Sequence, residues 1–147
     1  MFTRTSNRTA RVTTRIGLLL ALALMPAESG AEETRSITIA GKVLGWSGSH
    51  TLRLALWRAD HFLEKPFQTV SIPAGHPAEF SFSASPGEWA VSAYEDVNEN
   101  GTLDMGLFGP KEPMGFWRPF TAHRKPTFKD VSMVVERDLT NVEIRLK

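Results

Sequence analysis

Beyond its leader the chain reads as all-β, a seven-stranded antiparallel β-sandwich. Three observations carry that reading. Apolar residues alternate with polar ones at a period of two, turn-forming residues separate the alternating runs at near-regular intervals, and no convincing helical period follows the leader. Many short strands divided by turn signals are the pattern of two packed sheets around one core.

The first stretch stands apart from this domain. Arg4, Arg8, Arg11 and Arg15 precede an apolar run, Ile16 to Met25, that Pro26 ends, and Ser29-Gly30-Ala31 supplies small residues for cleavage. This is the layout of a secretory signal peptide over residues 1–31. Ten apolar residues are too few for a bilayer core that needs about 20. Cleavage after Ala31 leaves Glu32 to Lys147, the length of one domain with a single core and no membrane span. The arginines are nowhere adjacent, and the absence of cysteine removes both a lipid-anchoring site and a disulfide framework. The expected location is periplasmic or extracellular. Removing the leader turns the formal charge from +1 to −2, without a basic stripe for phosphates, so nucleic acid is not an expected partner.

The strands follow in order. Ser36 to Val43 alternates Ile37 and Ile39 with polar neighbours, and Thr51 to Trp57 alternates Leu52, Leu54 and Leu56. One helical turn fits within Ala59 to Lys65. Phe67 to Ile72, closed by Pro73, and Glu79 to Ser83 give the third and fourth strands, and Ser85-Pro86-Gly87 marks a tight turn. Trp89 to Glu95 is the fifth. Lys129 to Val135, with Val131, Met133 and Val135 on one face, and Asn141 to Leu146 complete the set, joined through Glu136-Arg137-Asp138 as a hairpin.

Between the fifth and sixth strands lies the one stretch with specific chemistry, Asp96 to Phe116 (DVNENGTLDMGLFGPKEPMGF). Oxygen-bearing Asp96, Asn98 and Asn100 occupy alternate positions, then come Gly101, Thr102 and, two further on, Asp104. In calcium loops such spacing makes oxygens at positions 1, 3 and 5 converge, lets glycine at position 6 reverse the chain, and takes a backbone carbonyl from position 7. Those roles fall to Asp96, Asn98, Asn100, Gly101 and the Thr102 carbonyl, with Asp104 at position 9. Position 12, usually a bidentate glutamate, is Leu107, so Glu112 closes the shell only where the chain folds back. Two carboxylates with two neutral amides predict weak Ca²⁺ binding, with a dissociation constant of roughly 10⁻⁴–10⁻³ M. The same residues also build turns whose side chains bond the local backbone, and the spacing alone does not separate the two readings.

The segment Pro86-Gly87-Glu88-Trp89-Ala90-Val91, Tyr94, Asp96, Asn98, Asn100-Gly101, Leu103-Asp104, Phe108-Gly109, Glu112 and Gly115-Phe116 resembles the bacterial family known as domain of unknown function 2141. In that family a proline-glycine turn leads into a strand ending in an aromatic residue. A D-x-N-x-N-G-x-L-D loop follows, then F-G, a proline, a glutamate and G-F. The resemblance implies a secreted or periplasmic β-sandwich of the transthyretin (prealbumin) kind and brings no assigned activity. The chain departs from the pattern twice. Pro110 follows Gly109 one residue early, and Trp117 replaces a small polar residue after the G-F pair.

No catalytic constellation emerges. His50, His61, His76 and His123 share no ligand spacing and read as surface residues, and no serine lies in a G-x-S-x-G elbow. The expected role is a structural or binding module, monomeric and not an enzyme. The alternative is a small carbohydrate-active hydrolase using paired carboxylates, Asp96 with Asp104 or Glu95 with Glu112. Trp117, beside Phe116 and Phe120, is the aromatic to test as a contact for a cell-surface or secreted protein or a glycan. Arg118, His123, Arg124 and Lys125 nearby would favour an anionic partner. A cover over the end of the core is the competing role for Trp117.

Overall fold

A computed structural model describes residues 35–121 and 124–147. The expected signal peptide, residues 1–31, lies outside the described residues, as do the expected mature start at Glu32 and His123. Glu33–Lys147 forms a compact unit of its own.

That unit is all-β. Among the described residues ten strands are present where seven were expected: β1 (Ile37–Leu44), β2 (Thr51–Trp57), β3 (Gln68–Ile72), β4 (Glu79–Ala84), β5 (Gly87–Asp96), β6 (Met105–Gly106), β7 (Gly109–Pro110), β8 (Met114–Phe116), β9 (Met133–Val135) and β10 (Leu139–Arg145). The three additional strands all fall inside the Asp96 to Phe116 connection. They are two or three residues long, too short for alternation to show in sequence. The helical turn expected after β2 is a 3-10 turn at Ala59–His61.

One sheet has the order β10-β1-β4 and another β3-β2-β5-β8, with β9 pairing the beginning of β5; β6 and β7 form a separate hairpin. Inward residues of both large sheets meet in one core: Ile37, Ile39 and Val43 of β1, Phe80 and Phe82 of β4, and Val142 and Ile144 of β10 from the first. Leu52, Leu54 and Leu56 of β2 with Trp89, Val91 and Ala93 of β5 come from the second. The alternation in sequence is the alternation in burial, since successive strand side chains point to opposite faces. Strand β5 is the exception, buried on both faces because Phe62, Phe116, Phe128 and Val131 cover Ala90 on its outer side.

The last part of the chain differs from expectation in two ways. The expected strand Lys129 to Val135 is divided. Phe128–Val131 is one turn of helix, α1, started by a capping box in which Thr127 and Asp130 satisfy each other's free amides, and only Met133–Val135 is strand. The expected hairpin through Glu136-Arg137-Asp138 does not form. β9 pairs with β5 while β10 crosses to the other sheet and lies parallel to β1, so the order is not wholly antiparallel. Asp138 anchors this crossing by accepting the Thr38 amide at 2.8 Å.

The two sheets meet at a seam where Met114 and Lys147 exchange backbone hydrogen bonds, at 3.1 and 3.3 Å. Glycine is required at two close approaches to β10, one from β8 beside this seam and one from β1. A Cβ on Gly115 would lie 2.2 Å from the Arg145 carbonyl oxygen, and one on Gly41 would lie 1.9 Å from that of Val142. The seam holds β8 in place, and with it the far end of the long connection.

Candidate functional site

The connection from Asp96 to Phe116 starts where β5 leaves the sheet. Residues 95 and 96 point to opposite faces, so the two carboxylates at this strand end serve different loops.

Asp96 is fully buried. Its Oδ2 accepts Nε–H of Arg53 at 2.6 Å and the Gly101 amide at 2.8 Å, and its Oδ1 accepts the Asn100 amide at 3.0 Å. Arg53 reaches it as a diagonal cross-strand neighbour, because Thr51 stands opposite Asp96 and Arg53 opposite Tyr94. Burial pushes the Asp96 carboxyl up, but the guanidinium and the two amides together outweigh it and hold the group below its ordinary value of 3.8. The same contact raises Arg53. The chain can wrap around this carboxylate because Glu99 and Gly101 take left-handed backbone conformations, with φ of 56° and 83°. Glu99 then fastens the loop to the start of β2, accepting the Thr51 amide and hydroxyl, each at 2.6 Å. Those two bonds keep Glu99 ionised below its usual range.

Glu112 does fold back to the loop, as its expected role required. There it binds the backbone, with Oε1 accepting the Val97 amide at 2.9 Å and Oε2 the Asp104 amide at 3.1 Å. One buried carboxylate thus clamps the two ends of the eight-residue stretch 97–104, and Lys111 N–H to Asp104 O at 2.8 Å closes it further.

Of the remaining expected ligands, Asn98, Asn100 and Asp104 converge, while Thr102 is seen only donating its amide and hydroxyl to Asn100. Asn98 donates to Asp104 at 2.6 Å and Asn100 donates to both Asp104 oxygens at 3.2 and 3.3 Å. Their amide oxygens are turned to the backbone, Asn98 towards the Asn100 amide and Asn100 towards the amide and hydroxyl of Thr102. Side chains 98, 100 and 104 therefore share one point, while Asp96 and Glu112 brace the loop from within. A Ca²⁺ ion takes six to eight oxygens. Side chains 98, 100 and 104 hold four oxygens between them, fewer than that demand, and the two asparagine oxygens are bonded to the local backbone. Asp96 fits it less well, since Arg53 already stands against it. Among the described residues no group of three or more His, Asp or Glu side chains is gathered as a metal site.

Above this braced base the chain forms the β6–β7 hairpin, with Met105 opposite Pro110 and Gly106 opposite Gly109. Leu107 and Phe108 make its turn and are fully exposed, at 96% and 103%; Met105 is 62% exposed. Sequence reasoning passed over this tip because two apolar residues in a glycine-flanked turn look like any strand fragment.

Glu95, on the opposite face from Asp96, gathers a second cluster that was also missed. It is buried and accepts the hydroxyl and amide of Ser47, while His50 Nδ1 lies 3.0 Å away. Burial raises this carboxyl, and the Ser47 and His50 bonds outweigh it, so it titrates below its ordinary 4.5. His50 is thus a fixed partner of a buried carboxylate, joined across 45 residues of sequence that no spacing rule spans.

Trp117 does not offer the exposed face considered for it. It is 6% exposed and part of the main core, and its indole N–H donates to the Val131 carbonyl at 2.7 Å. Of the basic residues near it, Arg124 pairs with Asp130 at 2.7 Å and Arg118 donates to the Lys129 and Ser132 carbonyls. Glycan or protein stacking on the Trp117 ring is therefore ruled out by packing. Leu107 and Phe108, with Met105 beside them, are the most exposed cluster of large apolar side chains among the described residues.

The chain belongs to the bacterial family described as "uncharacterized protein conserved in bacteria (DUF2141)", whose model matches residues 47–143, about two thirds of the sequence. The match takes in β2 through most of β10, including the whole braced loop and its hairpin. Neither a curated protein nor a solved structure gives a significant match.

Proposed function

We propose that this member of the family is an exported, non-catalytic binding module. Its two sheets pack as a β-sandwich of the transthyretin-like kind, and the 97–113 loop is its display element. One observation carries the reading: the buried carboxylates of Asp96 and Glu112 are both engaged by the loop's own backbone amides. Such bonds stiffen a loop and remove the ordering cost that a mobile one meets on binding. The rigid base supports three exposed apolar side chains that contribute nothing visible to the core. The hydrolase alternative would need a carboxyl open to a cleft, and the burial of Asp96, Glu95 and Glu112 speaks for the display reading.

The test is stability. Replacing Leu107 and Phe108 together by serine is expected to leave the melting midpoint of the 33–147 unit within about 2 °C, since exposed substitutions cost within about 0.5 kcal/mol. A fall of several degrees would mean that the tip is packed, and would remove it as a binding surface.

The convergence of Asn98, Asn100 and Asp104 favours a second property, weak Ca²⁺ binding at the same loop. Adding Ca²⁺ at about 100 times its dissociation constant stabilises by about 2.7 kcal/mol. A rise in the melting midpoint that Mg²⁺ does not reproduce and Asp104→Ala abolishes is the expected result. No rise at 20 mM Ca²⁺ would leave the loop a turn braced by its own side chains.

A further inference from the structure

We propose that the β6–β7 hairpin inserts its tip into the interfacial layer of a phospholipid surface; this rests on the display reading and names the partner. The tip is convex, with Leu107 and Phe108 fully exposed at its end and Met105 behind them. From Met105 to Pro110 no residue carries a charge. The register sets Met105 opposite Pro110 and Gly106 opposite Gly109, so the two arms hold Leu107 and Phe108 at the turn between them.

The charges at the base suit phosphate headgroups. Lys111 is exposed and its side chain lies along Gly106, leaving the ammonium free to rise to headgroup level as its stem follows the hairpin. Asp104, whose backbone carbonyl accepts the Lys111 amide, has its carboxylate bonded by the side-chain amides of Asn98 and Asn100. Among the described residues at the base, Lys111 is thus the cation placed to meet a phosphate, while the Asp104 and Glu99 carboxylates are engaged by Asn98, Asn100 and Thr51.

A second copy of the chain fits this tip poorly. A stable dimer buries about 800 Å² on each partner, whereas one aromatic side chain supplies about 150–250 Å², and only two aliphatic ones accompany it here. Two surface cavities, one lined by Glu136, Arg137 and Asp138 among others and one by Arg58, Asp60 and Lys65 among others, carry charged groups that an apolar tip would leave unpaired. A bilayer needs no preformed socket, because it yields around a convex apolar tip.

The experiment is sedimentation of the 33–147 unit with phosphatidylcholine vesicles, alone or containing phosphatidylglycerol. Binding is expected to both and stronger to the anionic vesicles. Leu107→Ser with Phe108→Ser should weaken it by at least about ten-fold, and Lys111→Gln should remove only the anionic preference. A Phe108→Trp variant adds an indole whose emission shifts to the blue and is quenched by brominated lipid. Failure of the wild-type unit to bind either vesicle would overturn the lipid assignment, as would unchanged binding of the double-serine variant or absent quenching. If the double-serine variant melts normally while the wild type ignores vesicles, the display reading stands and the lipid partner falls. If it melts low, the display reading falls with it.

Discussion

Asp96 is the residue on which the loop turns, and Asp96→Asn tests that claim with almost no change of shape. The wild-type carboxylate accepts three N–H groups, from Arg53, Gly101 and Asn100, in a site without solvent contact. An asparagine replaces one acceptor oxygen by a donor. If its oxygen stays with Arg53 and Gly101, its amino group faces the Asn100 amide; the reverse orientation faces two donors. Loss of a hydrogen bond to a charged group costs about 1.5–3 kcal/mol, and an unmatched buried donor about 1–3 kcal/mol. Because these overlap rather than add, the expected loss is about 3 kcal/mol. For a unit of this length that lowers the midpoint by about 10 °C. Urea unfolding of the 33–147 unit at pH 7 measures it, with the slope unchanged. The pH dependence supplies a second readout. The folded-state carboxyl sits below its ordinary 3.8, so its contribution is present above that value and disappears as pH falls through and beneath it. The gap between wild type and variant should narrow over the same interval. A loss under about 1 kcal/mol at pH 7, or a gap indifferent to pH, would refute Asp96 as the hub.

Glu95 obeys the same sign: its carboxyl is depressed below 4.5, so Glu95→Gln should be destabilised at neutral pH and show a flatter acid limb below pH 4.5 in a fluorescence-monitored titration. Gly115→Ala is expected to cost at least about 3 kcal/mol, or to abolish soluble expression, because the added methyl meets the Arg145 carbonyl at 2.2 Å; near-normal urea stability would mean that the seam is looser than described. Trp117→Phe, which removes the indole donor from the buried Val131 carbonyl, should lose about 1–3 kcal/mol by the same measurement.

The sequence by itself determined the all-β class and the inward faces of the longer strands. Alternation at Leu52, Leu54 and Leu56, or at Phe80 and Phe82, is a local property, and a period of two admits one backbone that buries a single face. The Asp96 to Phe116 motif likewise marked the family and located the site. What sequence left open was settled by partners far along the chain. Asp96 as cation ligand and Asp96 as internal brace require the same residue at the same spacing; Arg53, 43 positions earlier, contributes to the brace by standing against one of its oxygens, which no spacing rule could show. Glu95 with His50 and Trp117 with the core follow the same logic, since each role depends on strand register. The parallel β10 against β1 could not be read from alternation either, because a strand's pattern records which face is buried and carries no record of its neighbour or its direction.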